Sequence, residues 1–369
     1  MTKLDRCKAV YKKWLLISDE DVLDILFAAA LSLWLPGDRV WLFLIAPPGG
    51  TKTELLRALG GLPEAYSLSS LTAHSLISGI SKKESYDLLP RLDGKLFIVK
   101  DFTVILSRPS VEQAEIFSQL RDAYDGYHAK FFGSGVGKKE YNASFVLIAG
   151  VTPVIEKLRE VHQTLGERFL KLRIRHEETA TIKRAWQLAG REDKMREELA
   201  NATCEFFSWA QRRAGRFGDS ARFEGPLTAL AELTAKLRST VERDHYHEVA
   251  LLPEPEIGTR LAKQFRVLLR AIFSLYEQPE PERCLALIRR VAGDTVPPER
   301  LRVLRSIAHR NCSVSKQVQA SVRLPRSTTE RMLEDLWLLG LLDRAGEKPI
   351  SWSLTRKTQE LLGASKLLT

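Results

Sequence analysis

Residues 45–61 read IAPPGGTKTELLRALGG, and they hold the residue types that bind polyphosphates. The pattern for such a loop is G-x-x-x-x-G-K-[ST]. Ala46 stands at its first glycine and Thr51 at its last, whereas Lys52 and Thr53 are as the chemistry requires. The loop and the turn behind it comprise Pro48, Gly49, Gly50, Thr51, Lys52, Thr53 and Glu54. Backbone N–H groups there would cradle phosphates. Lys52 would reach the β- and γ-phosphates, and the Thr53 hydroxyl would hold Mg²⁺. The expected ligands are therefore ATP and Mg²⁺.

Such a loop works only between a strand and a helix. The apolar run of residues 41–45, WLFLI, has the pattern of a strand buried on both faces. Residues 54–59 form helices well, and Gly60-Gly61 ends them. Residues 67–81 are rich in serine and read as a loop. A second apolar run, LFIV at 96–99, leads into Lys100 and Asp101. A helix is expected over 110–124. The stretch YDGYHAKFFGSGVGKKEYNASFVLIAG then alternates, turns through glycines and alternates again, which predicts a β-hairpin running into a buried strand at 145–148. One more short strand follows in TLGERFLKLRIR. Strands alternating with helices predict an α/β fold with a parallel sheet. Residues 178–292 are nearly all helical in pattern. The last segment reads as three helices and a two-stranded wing around Ala345-Gly346, a winged helix-turn-helix.

The chain has 369 residues, a formal charge of +10 and a pI near 9.4, which favours a polyanionic partner. From Ala286 onward there are about 15 Lys and Arg against about 8 Asp and Glu, so this end carries much of the excess. Cys7, Cys204, Cys284 and Cys312 are scattered without zinc-ligand spacing, which points to reduced thiols in a cytoplasmic compartment. The most apolar helix, residues 22–35, contains Asp24 and stops at Pro36; it is too short to span a bilayer and reads as a core helix.

Phosphate loop, second strand ending in an acid, hairpin, polar strand end, then an arginine in GERF: in this order the motifs resemble an AAA+ ATPase. The chain most resembles the hairpin-bearing branch with the minichromosome maintenance helicases and related replicative ATPases of bacterial, archaeal and phage mobile elements. The resemblance implies an N-terminal helical segment (1–40), an αβ ATPase core (41–190), a helical lid (191–285) and a winged helix (286–369). Members of that branch lack glycine just before the lysine, as Thr51 does here. The resemblance makes Asp101 the essential acid and a holder of Mg²⁺, although LFIVKDFT departs from the usual Asp-Glu pair. In strict register Lys100 replaces the aspartate and Asp101 takes the glutamate's place; slipped by one, Phe102 replaces the glutamate. It further implies that Thr152 is the sensor residue, Arg168 an arginine finger for a neighbouring subunit, and Arg260 the lid's second sensor.

In hexameric relatives such hairpins line a pore. By that likeness Lys138 and Lys139 would track single-stranded DNA, with Lys82 and Lys83 as a second pore loop. Arg323, Arg326 and Arg331 around the recognition helix would bind duplex. The implied activity is an ATP-driven DNA helicase or translocase working as a homo-oligomeric ring, a hexamer by the likeness. Three other readings stand: an ATP-switched loader or replication initiator, an ATP-responsive transcription regulator, and a signalling ATPase of the defence type.

Overall fold

The computed structural model describes residues 1–79, 87–133, 136–157, 168–216, 221–246, 248–310, 312–347 and 349–368. The chain forms two compact units, residues 1–218 with 267–287, and residues 219–266 with 288–369.

The first unit opens with α1 (Lys3–Trp14) and α2 (Asp21–Leu31). A capping box starts α1: Thr2 and Asp5 each accept the other's backbone N–H, at 3.1 and 2.9 Å. Every residue of α2 from Val22 to Leu31 is buried, so the apolar stretch is a core helix. Its Asp24 is fully buried and meets Lys8 at 2.5 Å, which offsets the cost of burying the charge. No helix among the described residues is long and apolar enough to cross a membrane.

The central sheet is built from β1 (Trp41–Ile45), β2 (Ala65–Leu68), β3 (Leu96–Val99), β6 (Val146–Val151) and β7 (Phe169–Arg173), all parallel, in the order β2-β3-β6-β1-β7. Between them run α3 (Lys52–Leu59), α4 (Leu89–Leu92), α5 (Thr103–Leu106), α6 (Ser110–Tyr124) and the hairpin β4 (Tyr127–Phe132) with β5 (Gly137–Asn142). β1, β3 and β6 are buried at every residue, as strands covered on both faces must be. Aromatic side chains lock the sheet's middle: Phe43 and Phe169 stack with centroids 3.8 Å apart, and Trp41 Nε1 donates to the Phe145 carbonyl at 3.0 Å. The sequence pattern predicts no strand at β2, whose last two residues, Ser67 and Leu68, begin the stretch read as a serine-rich loop. The four residues of β2 are half-buried, and they pair in parallel with β3.

Two helices complete this side of the chain, α7 (Glu178–Leu188) and α8 (Glu192–Gln211). α8 packs along α1 and α3, with Tyr11 Oη and Thr203 Oγ1 at 2.7 Å and Gly61 against Ala200.

The second unit contains α9 (Glu224–Arg238), parts of α10 (Thr259–Leu275) and α11 (Pro281–Thr295), then α12 (Pro298–Arg310), β8 (Cys312–Val314), α13 (Ser315–Val322), α14 (Arg326–Leu338), β9 (Leu342–Ala345), β10 (Ser351–Leu354) and α15 (Arg356–Ser365). Four helices, α12 to α15, and a small antiparallel sheet in the order β8-β10-β9 form its C-terminal part among the described residues. The sequence suggested two strands here. The third, β8, is too short to show an alternation. Buried Asp335 on α14 joins this part together: it accepts from Arg300 of α12 at 3.1 Å and from Arg243 at 2.6 Å.

Candidate functional site

The phosphate-type loop leaves the C-terminal end of β1, which lies between β6 and β7. The chain departs from β1 to β2 at one edge and reaches the opposite side only with β7, so the strand order reverses beside β1. Ligands of open α/β sheets bind at the carboxyl ends of strands at such a reversal.

The loop closes on its own backbone. The N–H of Gly50 donates to the Pro47 carbonyl at 3.1 Å, and Ala46 N–H donates to Val151 O on β6 at 3.2 Å. Gly49 has φ +77°, the left-handed region that glycine enters freely. Thr51 has φ +39° and sits at the N-cap of α3. The consensus glycine thus meets a real conformational demand, and a β-branched residue fills it at a cost of about 1–2 kcal/mol.

Lys52 is buried, and its Nζ donates to the Ala46 carbonyl at 3.0 Å. Burial pulls its ammonium below the usual lysine range, and the charge of Asp101 partly opposes this. The loop lysine therefore feels the charge of the acid that follows β3. Asp101 is exposed, and its Oδ1 accepts the N–H of Thr103 at 3.0 Å. The Thr103 hydroxyl lies 3.4 Å from that of Thr152 and accepts the Thr152 N–H at 3.1 Å. Asp101 and Thr152 are thus joined through Thr103, a residue the sequence did not single out. Phe102 is fully buried, stacked on Phe117, with its N–H on Gly150 O at 2.7 Å. The acid motif therefore presents one carboxylate to solvent, followed by a core aromatic.

Thr53 is exposed on the first turn of α3. Glu54 beside it fastens helices: it pairs with Arg57 at 3.0 Å and takes two hydrogen bonds from Arg196 of α8, both 3.2 Å. A cleft of about 310 Å³ runs from Gly49–Glu54 past Trp14, Leu15 and the α7 and α8 residues Leu188 and Met195. At the loop end it has the Lys52 cation and the Thr53 hydroxyl, while the N–H groups of Gly50, Thr51 and Glu54 are engaged on loop carbonyls; its other walls are largely apolar, with Arg184 and Glu192 also lining them, a make-up suited to a small polar ligand. His176, from the segment after β7, closes over the loop beside Gly50. Neither Trp14 nor His176 carries a local sequence signal.

Other expected residues lie elsewhere. Arg168 directly precedes β7, whose Phe169 pairs with Trp41 at the start of β1, so it sits at the end of the sheet opposite the loop. Its buried guanidinium pairs with Asp125 at 2.7 Å and lies 5.6 Å from the Tyr124 ring centre. In this conformation it is directed into its own chain. Arg260 is in the second unit, 3.6 Å from Glu256.

The hairpin lysines part company. Side chains alternate along a strand, so neighbours face opposite sides. Lys138 is exposed and pairs with Glu140, which holds its ammonium above the usual range. Lys139 points back, donating to the Ser78 carbonyl and to buried Asp87, both at 2.8 Å. Asp87 also accepts from Tyr141 at 2.8 Å and from Ser78 N–H at 2.7 Å. Lys139 thus anchors the hairpin within its own chain, and Lys138 is the one of the two presented outward. Phe131, opposite Lys138, is 75% exposed and shares its face. Lys82 and Lys83 lie outside the described residues.

At the C-terminal part, Arg323 is exposed at the end of α13 with φ +53°, and Arg326 is exposed at the start of α14, 2.8 Å from Glu330. Arg331 is half-buried, five residues and about 140° round the helix from Arg326, so the three arginines do not form one face. Arg344 on β9 is exposed and lies over Trp337 and Trp352.

No protein-family model matches the chain, and no curated protein matches it in sequence.

Proposed function

We propose that this chain is an ATP-binding and ATP-hydrolysing protein of the AAA+ type that acts on DNA as a ring-forming helicase or translocase. The observation that carries the reading is the loop at the end of β1, where buried Lys52 feels the charge of Asp101 and a largely apolar cleft leads away. The cleft would take the base, the loop amides and Lys52 the phosphates. A hydroxyl and a carboxylate are hard oxygen donors suited to Mg²⁺, and Asp101 has lone pairs beyond the one that accepts from Thr103. When bound, Mg²⁺ would neutralise phosphate charge. Thr103 holds Thr152 and Asp101 in fixed relation, so movement of one reaches the other.

The hairpin supports the DNA part. It leads through three residues into β6, whose far end carries Thr152, so hairpin and sensor position share one stretch of chain. Its outward face pairs Phe131 with Lys138, an aromatic for base stacking beside a cation for phosphate. Arg323 and Arg326 of the winged-helix-like part would meet duplex. Arg168 enters this reading as a structural residue.

A second reading is an ATP-switched loader or initiator. It is favoured by Phe102, which fills the core where a water-orienting carboxylate could otherwise follow Asp101. ATP turnover with and without single- and double-stranded DNA, alongside mass measurement in ATP, separates the two. Turnover raised several-fold by single strands in a ring-sized assembly supports the translocase. A basal rate indifferent to single strands supports the switch.

A further inference from the structure

His176 is placed against the phosphate-type loop with unusual closeness. A Cβ built on Gly50 would lie 2.5 Å from His176 Nε2, closer than real Cβ atoms approach, and 3.1 Å from its Cε1. Gly50 does not have a positive φ, so its backbone does not require glycine. A side chain at Gly50 would instead meet the end of the imidazole, which would have to turn aside, and the Pro47 carbonyl oxygen at 3.1 Å. Gly50 and His176 are a matched pair, 126 positions apart in sequence.

The imidazole nitrogen nearest the loop has a second property. His176 Nε2 is buried, and no described residue hydrogen-bonds to it. A buried polar atom without a partner is costly, on the order of 1–3 kcal/mol, and calls for an explanation. Burial, then the nearby Lys52 charge, lower the imidazole's proton affinity, so the ring is neutral and offers one N–H. In the tautomer protonated at Nε2, that N–H lies against Gly50 of the phosphate-type loop.

We propose that His176 is a phosphate-contacting residue of the nucleotide site, donating Nε2–H to a phosphate oxygen across the gap left by Gly50. The inference rests on the nucleotide-site reading above. It adds a ligand from the sheet edge beside β1, contributed by the segment that follows β7. Nucleotide binding would then bear on the chain leading into α7, which also lines the cleft through Leu188.

The test compares binding of ATP with Mg²⁺ and of adenosine, which has no phosphate, by titration calorimetry. His176→Ala should weaken ATP about tenfold or more and leave adenosine unchanged, because a hydrogen bond to a charged group is removed. His176→Gln, which keeps a donor, should recover most of that affinity. Gly50→Ala should weaken ATP in the parent, and by clearly less in the His176→Ala background, where the collision is gone. Thermal unfolding checks that each variant folds, and the glutamine and Gly50 variants carry the test if His176→Ala does not. Equal weakening of ATP and adenosine would overturn the phosphate interaction in favour of packing. ATP binding unchanged by His176→Ala, with Lys52→Ala still impaired, would overturn the inference while sparing the nucleotide site. If Lys52→Ala also binds normally, the site reading itself fails and this inference with it.

Discussion

Lys138 and Lys139 are neighbours in the chain and face opposite sides of the hairpin, one beside exposed Glu140, the other 2.8 Å from buried Asp87. Their substitutions should therefore do different things. Lys138→Ala should leave stability close to the parent's, since it is an exposed position. It should lower the salt slope of single-strand binding by about 0.7, the share of one neutralised phosphate. Lys139→Ala leaves the Asp87 carboxylate buried with fewer donors and should cost about 2–3 kcal/mol. Denaturant unfolding and salt-dependent binding read the two effects. A Lys139→Ala protein as stable as the parent would contradict the anchoring role.

Thr51 holds a left-handed conformation at the N-cap of α3. Thr51→Gly removes that strain but adds chain entropy to the unfolded state. The net expectation is a gain of up to about 1 kcal/mol, with nucleotide affinity no weaker than the parent's. Chemical denaturation decides this, and a clear drop in stability would show that the threonine side chain makes an interaction worth more than the strain.

Arg168 is tied to Asp125 and Tyr124 in its own chain. Asp125 is half-exposed, so solvent weakens the pair. Arg168→Ala should lower stability by about 1–2 kcal/mol, mainly because its buried packing disappears. Mixing it with Lys52→Ala protein should not restore ATP hydrolysis. Restoration in mixtures with proven subunit exchange would show instead that Arg168 leaves Asp125 and serves a neighbour.

His128 on the hairpin's inner face is buried, which lowers its proton affinity; Asp122 at 3.4 Å acts against this, and Lys130 acts with it. A histidine whose folded pKa is depressed binds fewer protons folded than unfolded. Stability should therefore fall as pH drops from the ordinary imidazole value, about 6.5, through the lower folded value. Unfolding midpoints between about pH 7 and pH 5 should show this decline, and His128→Gln should flatten it. An equal decline in the variant would assign the acid sensitivity to other groups.

Much of this architecture was legible in the sequence, because buried parallel strands announce themselves. WLFLI, LFIV and VLIAG are continuous apolar runs, and the loop between the first strand and α3 has a recognisable composition. β2 was hidden because AYSL is a half-buried edge strand, without the run or the alternation that marks a strand. The split of Lys138 and Lys139 follows from the two-residue period of KFF and GKKEYN, so it was available in the pattern itself. The register at Lys100-Asp101-Phe102 required the structure, since an aromatic after an acid can be core or surface with equal ease. Trp14, Thr103, His176 and Arg196 could not be read at all. Each reaches the site only through tertiary packing, with no local spacing to betray it.

The central claim is that the loop at the end of β1 binds nucleotide through Lys52. Titration of ATP with Mg²⁺ into the parent and a folded Lys52→Ala variant tests it most directly. The account predicts saturable binding by the parent and weakening of about a hundredfold in the variant, since a buried point cation facing phosphates is removed. Equal affinity in the two proteins, or no binding by the parent, would contradict it.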